Sequence, residues 1–162
     1  MKVLMVVVIA LSLATVQVNA EVFEYKPGDI SFDIGSLKYD EKSSRKQPLS
    51  LVFKASESPF SVGLFFKMES DNQTLDEFMK NEKLNQNKGG YSDEMTIFEL
   101  KTDQYNSVEY FRNSPLGLIH WFVFQKASSN QIYSFWFVEK KELQAETKLA
   151  FSAYTKMKTT LK

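Results

Sequence analysis

Apolar and polar residues alternate along Asp29-Ile-Ser-Phe-Asp-Ile34, with Ile30, Phe32 and Ile34 on one side. A period of two predicts a half-buried strand. Between Gly35 and Pro48 the run Lys38-Tyr-Asp-Glu-Lys-Ser-Ser-Arg-Lys-Gln-Pro48 has no periodic apolar face. It reads as a solvated loop with room for one helical turn. Leu49 to Ala55 and Ser61 to Met68 are again strand-like, and Ser56-Glu-Ser-Pro59 between them suits a hairpin connection. The pattern then changes to a helical one. Thr74-Leu-Asp-Glu77 has the form of a capping box, and Leu75, Phe78 and Met79 share a helical face up to about Asn87, where Gly89-Gly90 stops the helix.

Four aromatic and β-branched runs follow: Met95 to Leu100, Tyr105 to Arg112, Gly117 to Gln125 and Gln131 to Val138. Turn-formers separate them at Thr102-Asp103, Asn113-Ser-Pro115 and Ala127-Ser-Ser-Asn130, which predicts an antiparallel meander. The last two runs are apolar on both faces, as a sheet centre covered on both sides requires. From Lys140 to Leu161 there is no glycine or proline, and Leu143, Leu149, Ala150, Ala153, Met157 and Leu161 fall broadly at helical spacing. A terminal amphipathic helix is expected on one side of the sheet and the Thr74 helix on the other. The fold class is α+β, an antiparallel sheet flanked by helices in an α/β/α sandwich.

Composition adds the compartment and removes several chemistries. The 162 residues are 43% hydrophobic and 14% aromatic, with 20 basic against 20 acidic side chains, one histidine and no cysteine. Balanced charge lacks the basic footprint that nucleic acid demands. Residues 1–20 place Lys2 before an apolar stretch from Val3 to about Val16 and end in Val18-Asn-Ala20, the three-part plan of a secretory signal peptide. Read as a transmembrane anchor instead, a stretch of about 14 residues falls short of the ~20 that span a bilayer. Cleavage near Ala20 would leave a single domain, residues 21–162, without a membrane span and secreted or periplasmic. Without cysteine there is no disulfide, thiolate zinc site or thiol nucleophile.

Candidate chemistry is sparse. His120, in phase with Leu118, Phe122 and Phe124, reads as a core histidine, because a general base must be reachable by substrate. One histidine cannot assemble a usual zinc site. Glu69, Asp71, Asp76 and Glu77 form the densest acidic cluster but lack the ligand spacing of a calcium loop, and capping explains Asp76 and Glu77. No spacing singles out a carboxylate pair for glycoside hydrolysis. Gly89-Gly90 lacks the context of a phosphate loop. Asn72-Gln73-Thr74 matches a glycosylation acceptor if the source is eukaryotic, and is explained equally by capping at Thr74. The charged run Asp40 to Lys46 reads as solvated surface. Trp121, Tyr133, Phe135, Trp136 and Phe137 have two readings, an aromatic core or the wall of an apolar ligand groove.

The order of elements resembles the PsbP/Mog1-like domains, including DcrB-type exported proteins. Asp29-Ile-Ser-Phe-Asp-Ile34, Ser61-Val-Gly-Leu-Phe-Phe66, Thr74-Leu-Asp-Glu-Phe78, Ile132-Tyr-Ser-Phe-Trp-Phe-Val138 and the closing stretch from Phe151 to Lys162 carry the likeness. The resemblance implies a sheet between helices and binding rather than catalysis, as in photosystem accessory subunits, a small-GTPase partner and periplasmic proteins. It transfers no catalytic, metal or cofactor residue. The leading expectation is therefore a non-enzymatic exported accessory protein that meets another protein in its compartment. A carrier of a small apolar ligand comes second, and a hydrolase working through oxygen ligands or carboxylates third.

Overall fold

The computed structural model describes residues 22–47, 49–58, 61–86, 95–101 and 104–162. The expected leader, Pro48, Pro59, the helix end at Asn87 with its Gly89-Gly90 stop and the Thr102-Asp103 turn lie outside the described residues. Among the described residues, ten strands and two α-helices follow one another. They are β1 (Val22–Tyr25), β2 (Ile30–Asp33), β3 (Lys38–Tyr39), β4 (Arg45–Lys46), β5 (Leu49–Lys54), β6 (Gly63–Ser70), α1 (Leu75–Gln86), β7 (Met95–Lys101), β8 (Tyr105–Ser114), β9 (Gly117–Lys126), β10 (Ile132–Val138) and α2 (Gln144–Thr160).

The main sheet runs β3-β5-β6-β10-β9-β8-β7, with β4 also paired to β5, and every pairing is antiparallel. From α1 the chain crosses to the far edge and returns as the expected meander, so that β10 closes against β6. This puts β9 and β10, apolar on both faces, at the middle of the sheet, where both faces must be covered.

Alternation along β9 divides the core. Phe122 and Phe124 join Phe135, Phe66 and Phe53 under α2 and β2, whereas Val123 joins Val108, Tyr110 and Ile132 under Leu75, Phe78 and Met79 of α1. The result is an α+β domain with a helix on each face. On α2, Ala150, Ala153, Tyr154 and Met157 are buried, one face at helical spacing, while Leu149 points outward and is 40% exposed. The expected Leu149 contact is replaced by Tyr154, whose phenol reaches a buried carboxylate described below.

Hydrogen bonds fix the helices at their starts. Glu77 N donates to Thr74 Oγ1 (3.3 Å) and Thr74 N to Glu77 Oε2 (2.9 Å), the reciprocal capping box expected from sequence. The buried Gln125 amide of β9 accepts from Leu75 N (3.1 Å) and donates to Gln73 O (3.1 Å), which ties that same helix start to the sheet. At α2, Thr147 Oγ1 both accepts from Lys140 N and donates to Lys140 O. The Glu146 carboxylate accepts from Val62 N (2.8 Å) and from Ser56 Oγ (3.1 Å).

Three strands exceed the sequence reading. β1 pairs with β2 in a separate two-stranded sheet, with Phe23 and Tyr25 turned inward. Residues 35–48, read as loop, contribute β3 and β4 as exposed two-residue ladders on β5. Asp40 organises the turn between them. Its side chain accepts from Lys42 N, Ser43 N and Ser43 Oγ and pairs with Lys54, and these bonds hold its carboxyl at about 2, Lys54 and Ser43 contributing most. Gly117 opens β9 at φ 131, and a Cβ there would stand 2.0 Å from Glu139 O, so no other residue fits.

Candidate functional site

His120 lies on the α2 face of the sheet and is 4% exposed. Its ring stacks on Phe137 (4.6 Å, 13°) and meets Phe111 edge-on (4.9 Å). Nε2 stands 2.7 Å from Glu139 Oε1, and a carboxylate only accepts, so the proton resides on Nε2. Nδ1 is buried with no hydrogen-bond partner among the described residues. Protonating it would place an N–H in apolar surroundings, and burial accordingly holds the imidazole below its usual range, against the opposing pull of Glu139. With one nitrogen bound to a carboxylate and the other sealed, this ring cannot serve a serine nucleophile in the arrangement shown. Nearby, Glu109 of β8 is buried, accepting from Tyr154 Oη (2.9 Å) and Lys158 Nζ (2.6 Å), a satisfied charge that locks α2 to the sheet.

The five aromatics named from sequence do not form one wall. Tyr133, Phe135 and Phe137 are buried in the α2-side core. Trp121 and Trp136 occupy the opposite face, half-buried, because they alternate with those positions along β9 and β10. Trp136 stacks on Phe65 (4.1 Å, 11°), and Trp121 lies between Tyr110 (5.2 Å) and Trp136 (6.3 Å).

The acidic cluster is also dispersed. Glu69 accepts from Lys67 Nζ (2.7 Å) and Ser134 Oγ (2.6 Å), Glu77 is in the capping box, and Asp71 and Asp76 are exposed. Among the described residues no group of three or more histidine, aspartate or glutamate side chains could hold a metal ion. Asn72 is exposed on the bend before α1, where its Oδ1 accepts from Ser70 Oγ, while the Thr74 hydroxyl serves the cap.

A concave site lies elsewhere, at the end of the molecule where β1 turns into β2. A cleft of about 930 Å³ opens there between that turn, the start of β8, the β9–β10 connection and Lys162. Tyr25, Ile30 and Tyr105 line its inner part, and Ile30 and Tyr105 are themselves buried. Burial raises the Tyr105 phenol and lifts that of the adjoining Tyr133 to about 12, with the Tyr25 and Tyr105 phenols adding to the latter, so both stay protonated at neutral pH.

The rim is polar. The Lys26–Gly28 helical turn closes with Asp29 N donating to Lys26 O, and Asp29 takes a left-handed conformation (φ 48) that a short acidic side chain tolerates. Lys126 Nζ donates to both Asp29 O (3.0 Å) and Asp29 Oδ2 (2.9 Å), joining the two turns across the cleft. Ser31 and Lys162 exchange two backbone hydrogen bonds that hold the chain end at the opposite rim. Gly28 sits so close to Tyr133 that a Cβ would come 2.8 Å from the phenol oxygen. The turn-formers at Ala127-Ser-Ser-Asn130 were visible in sequence, but their meeting with the turn between β1 and β2 was not.

No model of a known protein family matches the chain, and no curated protein matches it. Among the described residues no helix is long and apolar enough to cross a membrane.

Proposed function

We propose that this is an exported, non-enzymatic binding protein of PsbP/Mog1-like architecture, and that the cleft beside Tyr25 and Tyr105 is where it binds. The observation that carries the reading is the cleft itself, about 930 Å³ with an aromatic floor and a charged rim. A concavity of that order suits a small molecule or a short segment better than a flat protein face. The sealed His120 supports binding over hydrolysis, since the sole imidazole takes no nucleophile. Export, to a secreted or periplasmic location after cleavage near Ala20, is supported by the leader. An aromatic groove along β10 for a wholly apolar ligand gains nothing, because Tyr133, Phe135 and Phe137 are consumed by the core.

A second reading, docking of another protein, is favoured by the exposed apolar side chains Leu116 (76%) between β8 and β9 and Leu149 (40%) and Phe151 (48%) on α2.

Native mass spectrometry of the protein purified from its natural source without refolding tests the choice. A retained small molecule, displaced in a variant with a filled cleft, supports the cleft reading. A stoichiometric polypeptide whose crosslinks map to α2 supports the second. Hydrolytic turnover that disappears in a folded His120→Gln variant overturns both.

A further inference from the structure

We infer that Gly28 sets the width of the cleft, acting through Tyr25 and Ile30, and so makes the site select its ligand by size. This rests on the proposal that the cleft is the binding site, and it deepens that reading. Gly28 does not itself line the cleft, whereas Tyr25 and Ile30 do. Its φ is not positive, so the backbone would accept a side chain there, and glycine answers a demand for space.

Three atoms bound that space. A Cβ on Gly28 would stand 2.8 Å from Tyr133 Oη, 3.0 Å from Ile30 Cδ1 and 3.1 Å from Tyr25 Cδ1, all inside the separation at which nonbonded atoms rest. Tyr133 is fixed. Its ring is buried between Phe66 and Phe124, stacked 5.7 Å from each, and its Oη donates to Gln131 Oε1 at 2.7 Å. The turn is held as well, closed by Asp29 N on Lys26 O and tied at the rim by Lys126 Nζ to Asp29. The side chains left to yield are Tyr25 and Ile30, and both border the void of the cleft. A methyl group at position 28 is therefore relieved by driving the inner wall into the cleft. Gly28 is a positioning residue, and Tyr133 is the support it is seated on.

Neutral probes keep the rim charges out of the measurement. Benzyl alcohol, 1-naphthol and N-phenyl-1-naphthylamine, in order of size, are titrated at neutral pH into the exported protein and into Gly28→Ala, Tyr133→Phe and the double variant. Gly28→Ala should weaken N-phenyl-1-naphthylamine by about tenfold and benzyl alcohol by less than about twofold, because an overpacked wall excludes the larger body first. Tyr133→Phe removes the nearest of the three crowding atoms. It should change little alone and restore the large probe in the Gly28→Ala background. Ile30→Val removes the second and should shift the affinity ratio towards the large probe with Gly28 in place, a readout that stands even if Gly28→Ala does not fold. A merely structural role for Gly28 would move unfolding midpoints without reordering the probes.

The inference is overturned if Gly28→Ala binds every probe as the parent does or weakens all three by one factor, if Tyr133→Phe does not restore the large probe, or if Ile30→Val leaves the affinity ratio unchanged. Ala127→Trp, at an exposed position on the cleft wall, separates this from failure of the cleft reading. If the parent binds no probe, or Ala127→Trp binds N-phenyl-1-naphthylamine normally, the cleft is not the site and the inference falls with it. If Ala127→Trp abolishes binding while Gly28→Ala shows no size selection, the cleft stands and the role of Gly28 falls.

Discussion

The two faces of the sheet differ in how much aromatic surface they bury. Under α2 and the β1–β2 hairpin the surface is almost continuous ring: Phe135 lies within about 5 Å of Phe32, Phe66 and Phe124, and those rings touch others in turn. Under α1 the apolar cluster is smaller, and buried polar groups such as Gln125, Ser134 and Arg112 share the surface. Aromatic area supplies undirected stabilisation, whereas an amide that must satisfy both a donor and an acceptor fixes position. The α2 face therefore supplies the larger share of apolar stabilisation, while a buried polar group positions the helix on each face, Glu109 for α2 and Gln125 for α1.

The largest effect that would break this contrast comes from Phe135, fully buried at the centre of the ring cluster. Phe135→Ala should cost about 3–5 kcal/mol and expose the whole domain to denaturant, read as a lower urea midpoint. Met79→Ala on α1 should cost about 2 kcal/mol, the low end for such a truncation, because the site is at the rim of a smaller cluster. Equal losses from the two would refute the assignment of the larger apolar share to the α2 face. Next in size is Gln125→Ala, which leaves Leu75 N without its acceptor and removes the donor to Gln73 O, at about 1–3 kcal/mol. Its signature is local. Amide exchange should quicken at the start of α1 while β9 and β10 stay protected, and uniform acceleration would show that Gln125 does not act on α1 alone.

The same contrast governs what could be read from the sequence. Strands such as β2, β9 and β10 announced themselves because their alternation is what burial on one or both faces demands, and α1 because Thr74 and Glu77 cap it through bonds four residues wide. β3 and β4 did not, since exposed two-residue ladders held by Asp40 and by pairing to β5 leave no apolar period. His120 was legible as a core residue from its neighbours in phase. The stretch from Ile132 to Val138 was legible as a strand apolar on both faces, with Trp136 opposite Tyr133, Phe135 and Phe137, but not as core rather than groove wall. The cleft was illegible for a more basic reason: Tyr25, Tyr105, Lys126 and Lys162 are far apart in sequence and adjoin through the pairing of β2 with the chain end.

Acid should sharpen the contrast from the α2 side. His120 binds its proton less readily in the fold than in the unfolded chain, whose histidine titrates near 6.5. The unfolded state thus takes up more protons as pH falls, so this contribution is whole above 6.5 and is lost on descending from 6.5 through the lowered folded value. Urea midpoints measured across that window should slope in the parent and flatten in His120→Gln. A slope of the same steepness in the variant would assign the pH dependence to other groups. Asp40, Glu77 and Glu146 are lowered carboxyls, and their contributions are lost only at more acid pH.

The smallest effect belongs to the α1 cap. Thr74→Ala removes the oxygen that receives Glu77 N at an exposed helix start, a loss of about 1 kcal/mol. The opposite half of the box survives in that variant, because Thr74 N still donates to Glu77 Oε2. Thr74→Ser keeps both halves and should restore the midpoint. If Gln125 is the stronger tether, the Thr74→Ala and Gln125→Ala losses should fall short of additive, because a start already frayed from the sheet has less cap to lose. Strict additivity would mean that the cap and the amide hold α1 independently, and that the α1 face is not organised around Gln125.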